Sequence, residues 1–205
     1  PQYAADMAAL IAHLRVPGKI DWVGTSLGGL TGMVLAAAAR SPIRRMVIND
    51  IGPFLPWAPI REIGSRLRDA PRLHHNLASG ESRLRTVLGA FGPLTDEQWR
   101  HIAKYSFHQV PNGGWRPHYD PGIGDAFRPG RVYSVSMWRD WDVITCPVLL
   151  LRGEHSDLLL ASTADEMTRR GPPTRRVEIP QCGHAPALLD DEQLRIVTDW
   201  LGPAA

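Results

Sequence analysis

Asp21 to Leu30 read DWVGTSLGGL. A serine stands between glycines, after an apolar stretch and before an alanine-rich run. The pattern is G-x-S-x-G over Gly24 to Gly28, and its context carries more than its five letters. KIDWVG reads as a short strand, and Ser26 to about Arg40 as a Gly/Ala-rich helix able to pack closely on a sheet. A serine at such a sharp strand-to-helix turn sits in strained backbone, and glycines two residues to either side relieve the crowding. Its hydroxyl then projects above the sheet at a helix N-terminus. There the Leu27 N–H can donate to a developing oxyanion. A tight turn with a helix-capping serine is the plainer reading of the same letters.

Working outward, Tyr3, Met7, Leu10, Ile11 and Leu14 recur at helical spacing, so residues 2–15 read as an amphipathic helix. Ser41-Pro42 ends the second helix, and IRRMVIND (43–50) follows as a strand. This α-β-α-β order belongs to a parallel sheet with crossover helices. The texture changes after Ile51. Residues 52–141 show no βα repeat, but helices at 59–69, 81–90 and 95–108 and a Gly/Pro-rich stretch at 111–130. Five of the seven tryptophans lie there: Trp57, Trp99, Trp115, Trp138 and Trp141. They suit the core of an inserted helical lid better than a cofactor box. The sheet pattern resumes at PVLLLRG (147–153), a continuous apolar run expected of a strand covered on both faces. A helix at 162–170 follows, with Ser162 and Asp165 spaced as a capping box. RRVEIP (175–180) is a shorter strand, and Leu188 to Leu201 form a last amphipathic helix.

Serine needs a base to become a nucleophile. His184, in QCGHAP, follows the last strand, where a parallel sheet puts it on the same edge as Ser26. A structural or exposed role is the reading for His13, His74, His75, His101, His108 and His118. The base needs an orienting acid. Asp157, in LRGEHSDLL, follows strand 147–152, and Ser26, Asp157, His184 is the order in which such a triad follows successive strands. It lies 131 residues after Ser26 and 27 before His184. Asp50 is the rival: it ends IRRMVIND 24 residues after Ser26, also at a carboxyl edge. Glu154 is a weaker third candidate. Spacing leaves the choice open and favours Asp157.

Composition excludes several other classes. A net charge of +2, scattered along the chain, does not make the clustered basic face that nucleic-acid binding needs. No apolar run is long enough for a membrane span. Cys146 and Cys182 make neither a disulfide framework nor a metal set, and buried thiols in a reduced, cytoplasmic setting are the expectation. No Cys/His group has zinc spacing. GIGDAF (122–127) lacks the preceding strand and third glycine of a dinucleotide fingerprint. Neither a metal nor a cofactor is expected.

The segments VGTSLGG, VINDIGP, PVLLLRGEHSD and CGHAP, in this order, span nearly the whole chain. Together they resemble the α/β-hydrolase superfamily with an inserted cap. The resemblance implies an α/β fold with a mostly parallel sheet. Residues 1–51 and 142–205 would be hydrolase core, and 52–141 a helical cap that sets substrate choice. It implies Ser26 as nucleophile, His184 as base and Asp157 as acid, with Asp50 where relatives place the acid after the preceding strand. Such proteins usually begin with four further strands and a helix, and the loop after the third strand often carries His-Gly and a second oxyanion N–H. This sequence holds no His-Gly dipeptide. KIDWVG would otherwise be a bare, aggregation-prone edge. The expectation is therefore that a preceding part of the same protein completes the sheet and the oxyanion hole.

The function expected is a serine hydrolase acting on a carboxylic ester through an acyl-enzyme. C–C bond or amide hydrolysis is the alternative within the fold, and a non-catalytic binding protein the alternative outside it. A serine in the nucleophile position argues against epoxide hydrolase or haloalkane dehalogenase chemistry. Residues 52–141 hold 12 Lys/Arg against 8 Asp/Glu. That excess suits an anionic small-molecule substrate, and a solvated helical surface explains it more simply.

Overall fold

The computed structural model describes residues 2–69, 73–111, 113–127 and 134–202. Parts of the expected cap (70–72, 112 and 128–133), including some of the Gly/Pro-rich stretch, lie outside these residues. The chain divides into two compact units, Pro1–Leu55 with Val135–Ala205, and Pro56–Ser134.

The first unit opens with helix α1 (Gln2–Leu14), strand β1 (Ile20–Thr25), helix α2 (Leu27–Ala37), strand β2 (Ile43–Asn49) and the two-residue strand β3 (Phe54–Leu55). The second unit carries α3 (Trp57–Arg68), α4 (Leu77–Val87), α5 (Asp96–Ser106), β4 (Phe107–Gln109) and β5 (Trp115–Pro117). The chain then returns to the first unit with β6 (Val135–Ser136), α6 (Trp138–Val143), β7 (Val148–Gly153), α7 (Ala161–Arg169), β8 (Thr174–Ile179) and α8 (Asp191–Leu201).

In the first unit β1, β2, β7 and β8 form a parallel sheet in that order. The central strands are the most apolar. Met46, Val47 and Ile48 of β2 and Val148 to Leu151 of β7 are all fully buried. Each such side chain contributes roughly 1.5–3 kcal/mol of burial free energy, which is why these runs decide the fold. Val197 of α8 packs with Val47, Leu149, Leu151 and Ile179. Asp190 caps α8 by accepting from the Glu192 and Gln193 N–H groups, satisfying two of the donors a helix start leaves unpaired. Strand β1 lies at one edge of the sheet, with Val23 exposed. Because all four strands run the same way, Ser26, Asp50 and the loops after β7 and β8 emerge at one edge.

Two details differ from the sequence reading. Ser162 and Asp165 make no capping box, because α7 starts at Ala161 with Leu160 before it and no side-chain cap, so Ser162 is already inside the first turn. Trp138 and Trp141 lie in the sheet unit, where Trp141 is buried and donates from Nε1 to the Arg170 carbonyl.

In the second unit, capping boxes Asn76–Ser79 and Thr95–Gln98 start α4 and α5. Strands β4 and β5 form an antiparallel pair. His74 is buried with its ring edge-on to Phe107 at 5.0 Å. Burial, with Arg83 adding to it, pushes its imidazole pKa down. It is a packed, neutral side chain. Among the described residues no helix is long and apolar enough to cross a membrane.

Candidate active site

The turn between β1 and α2 holds Ser26 at φ 50° and ψ −115°. A side-chain-bearing residue reaches such a conformation at a cost of order 1–3 kcal/mol, and only where its surroundings over-determine it. They do here. The Ser26 N–H donates to the Asn49 carbonyl at 3.0 Å, and the Leu30 N–H to the Ser26 carbonyl at 3.1 Å. Asn49, fully buried at the end of β2, donates from Nδ2 to Thr25 Oγ1 and to the Pro186 carbonyl. The serine turn, β2 and the histidine loop are thereby joined through one side chain. Sequence reading missed Asn49; a buried amide at a strand end beside Asp50 was the available signal.

The glycine pattern works differently from the expectation. A Cβ on Gly24 would lie 2.4 Å from the Gly28 carbonyl oxygen, and one on Gly29 would lie 2.4 Å from Ile51 Cγ2. A Cβ on Gly28 would meet nothing within 4 Å. Close approach of α2 to the sheet thus requires Gly24 and Gly29, and not Gly28. Gly24→Ala is expected to destabilise the protein by about 3 kcal/mol, since backbone cannot yield as a side chain does. Gly28→Ala is expected to change stability by less than about 1 kcal/mol, and in the favourable direction, because alanine is the better helix former. Thermal unfolding of both variants checks this pair.

Ser26 Oγ lies 2.9 Å from His184 Nε2, and His184 Nδ1 lies 2.8 Å from Asp50 Oδ2. The histidine side chain is 16% exposed and that of Asp50 is 0% exposed. An ionised carboxylate only accepts, so His184 donates from Nδ1, which leaves the Nε2 lone pair facing the serine hydroxyl. Asp50 also has positive φ, 55°. Its N–H donates to the Leu151 carbonyl at 2.9 Å, which fixes it to the neighbouring strand.

The acid that sequence spacing favoured is not at this position: the structure sets Asp50, not Asp157, against His184. The reason is the turn after β7. The Ser156 N–H donates to the Gly153 carbonyl at 2.9 Å, and this tight turn directs Ser156 inward and leaves Asp157 exposed. Glu154 is exposed too, and its Oε2 accepts from the Gln181 N–H at 3.0 Å. Cys182 and Cys146 are buried thiols. Burial pushes the Cys182 pKa up, and the negative charge of Asp50 adds to the rise, so it stays a neutral thiol. Among the described residues, no group of three or more His, Cys, Asp or Glu side chains could hold a metal ion.

The order of strands, the strained serine turn and the histidine loop at one sheet edge agree with a profile of the alpha/beta hydrolase family that matches residues 1–197. The chain belongs to that family. A 3-hydroxybutyrate-oligomer hydrolase of Cupriavidus necator is 40% identical over 208 residues, covering 98% of this chain and 70% of the relative. A 2-(acetamidomethylene)succinate hydrolase of Mesorhizobium japonicum is 28% identical, covering 97% of this chain and 69% of the relative. Among solved structures, an alpha/beta hydrolase from Novosphingobium aromaticivorans superposes with a TM-score of 0.83 at 34% identity, over 96% of this chain and 69% of that one. With these relatives in the family, this chain is a hydrolase.

Proposed function

We propose that this hydrolase cleaves a carboxylic ester through an acyl-enzyme formed on Ser26, with His184 as general base and acid and Asp50 as the orienting carboxylate. The observation that carries the reading is the unbroken relay from Ser26 Oγ through both ring nitrogens of His184 to a buried carboxylate. Ser26 Oγ attacks the substrate carbonyl while its proton passes to His184 Nε2, and Asp50 stabilises the imidazolium. The Leu27 N–H is the proposed oxyanion donor. It stands at the first position of α2, where a helix supplies no carbonyl partner. His184 returns the proton to the departing alcohol, water repeats the sequence on the acyl-enzyme, and the acid is released. A cytoplasmic setting accompanies the reading, as does a substrate preference set by the inserted unit.

The likeness to a 3-hydroxybutyrate-oligomer hydrolase supports a narrower choice. Oligomers of a hydroxy acid are joined by esters and end in a carboxylate. The proposed substrate is a short ester of that kind. The test is turnover of p-nitrophenyl butyrate and of the 3-hydroxybutyrate dimer by the full-length protein. Cleavage of both, with the higher kcat/KM on the dimer, is expected. Cleavage of the simple ester alone would overturn the substrate class, and cleavage of neither would overturn the ester reading.

A further inference from the structure

We propose that Ser156 is a positioning residue for the reaction, acting through Asp50; the inference rests on the serine-hydrolase reading above. Ser156 Oγ lies 2.6 Å from Asp50 Oδ2, the oxygen that also receives His184 Nδ1. The direction of that hydrogen bond is fixed by its surroundings. The Leu159 N–H donates to Ser156 Oγ at 3.1 Å, so the hydroxyl accepts from the backbone and its single proton points to the carboxylate. The Gly153 N–H donates to Asp50 Oδ1 at 2.7 Å. Each carboxylate oxygen therefore has a donor besides the imidazole. Ser156 is 5% exposed, so water does not readily replace it.

The loop that presents the hydroxyl is braced from below. Arg152, in β7 and 5% exposed, donates from Nε to the Leu159 carbonyl at 2.8 Å and from Nη2 to the Ser156 carbonyl at 3.2 Å. Its Nη1 reaches the Glu154 carbonyl and the Glu178 carboxylate. A buried arginine with its donors spread over one short loop holds that loop to a single shape. The result is a fixed hydroxyl that keeps the Asp50 carboxylate in the plane and orientation that His184 needs. Ser156 stands immediately before Asp157 in the loop where spacing placed the acid. That loop contributes to the relay through the donor Ser156.

The experiment compares Ser156→Ala, Ser156→Thr and Asp50→Asn, and the double variant Ser156→Ala/Asp50→Asn, in the full-length protein on p-nitrophenyl butyrate. A hydrogen bond to a charged group accounts for a factor of about ten or more, so Ser156→Ala is expected to lower kcat about tenfold with KM within about twofold. Ser156→Thr keeps the hydroxyl and is expected to restore most of kcat. Groups that act as one unit are non-additive, so adding Ser156→Ala to Asp50→Asn is expected to cost less than about twofold more. Should Ser156→Ala fail to fold, Ser156→Cys, which keeps the size but weakens the donor, takes its place in the same comparison. Equal losses in the wild-type and Asp50→Asn backgrounds, or a threonine variant no better than alanine, overturn the role. So does a kcat for Ser156→Ala indistinguishable from wild type. Activity that survives Ser26→Ala would instead overturn the parent reading, and the two failures are thereby separate.

Discussion

Ser26→Ala is expected to lower kcat on a carboxylic ester by a factor on the order of 10⁶, and His184→Ala by about as much, with the double variant no worse than either. Non-additivity follows from the geometry. In the proposed roles, the serine hydroxyl can act as nucleophile only while His184 Nε2, 2.9 Å away, can take its proton. Removing either group removes the same step. What is expected to survive is binding and the proposed oxyanion donor at the start of α2. Neither substitution touches the sheet core, and Ser26→Ala removes one atom of a half-buried side chain from a turn held by backbone hydrogen bonds to Asn49 and Leu30. Unfolding temperatures close to wild type are expected beside the lost activity. Steady-state kinetics with purified full-length variants decide the matter, and additive losses would separate the two residues into independent roles.

The second large effect distinguishes two aspartates. Asp50→Asn is expected to lower kcat by about 10⁴, while Asp157→Asn stays within about twofold of wild type, as exposed substitutions do. The Gly153 N–H donates to Oδ1 of Asp50, so an asparagine would keep its carbonyl oxygen there. Its amide nitrogen would then face His184 Nδ1. Meeting a donor, Nδ1 would have to accept, the ring proton would move to Nε2, and Nε2 could no longer take the serine proton. Asp157 offers no comparable effect, being exposed in the loop beyond Ser156. A large loss in Asp157→Asn with Asp50→Asn active would reverse the assignment.

The contrast between these two residues shows where the sequence was legible. The β2 and β7 strands were readable because their apolar runs are what a sheet buries on both faces, and the serine turn because strand and helix flank it. His184 was readable from topology, since a residue after the last parallel strand must arrive at the edge that carries Ser26. Which carboxylate meets His184 depended on something finer. After β7 a single tight turn decides which of Ser156 and Asp157 faces inward, and letters five to eight residues past the centre of a strand do not encode its phase. The spacing of Ser162 and Asp165 failed for a similar reason, a helix start two residues earlier than a cap at Ser162 requires. Strands β4 and β5, three residues each, are too short to leave a period-two signal, and Pro117 in β5 argues against a strand.

The most direct measurement is the site of covalent labelling by a fluorophosphonate, mapped by peptide mass spectrometry on the full-length protein. One adduct is expected, on Ser26, absent from Ser26→Ala and His184→Ala and formed much more slowly in Asp50→Asn than in Asp157→Asn. An ester-cleaving protein that carries no adduct on Ser26, or carries it on another residue, would rule out Ser26 as the nucleophile.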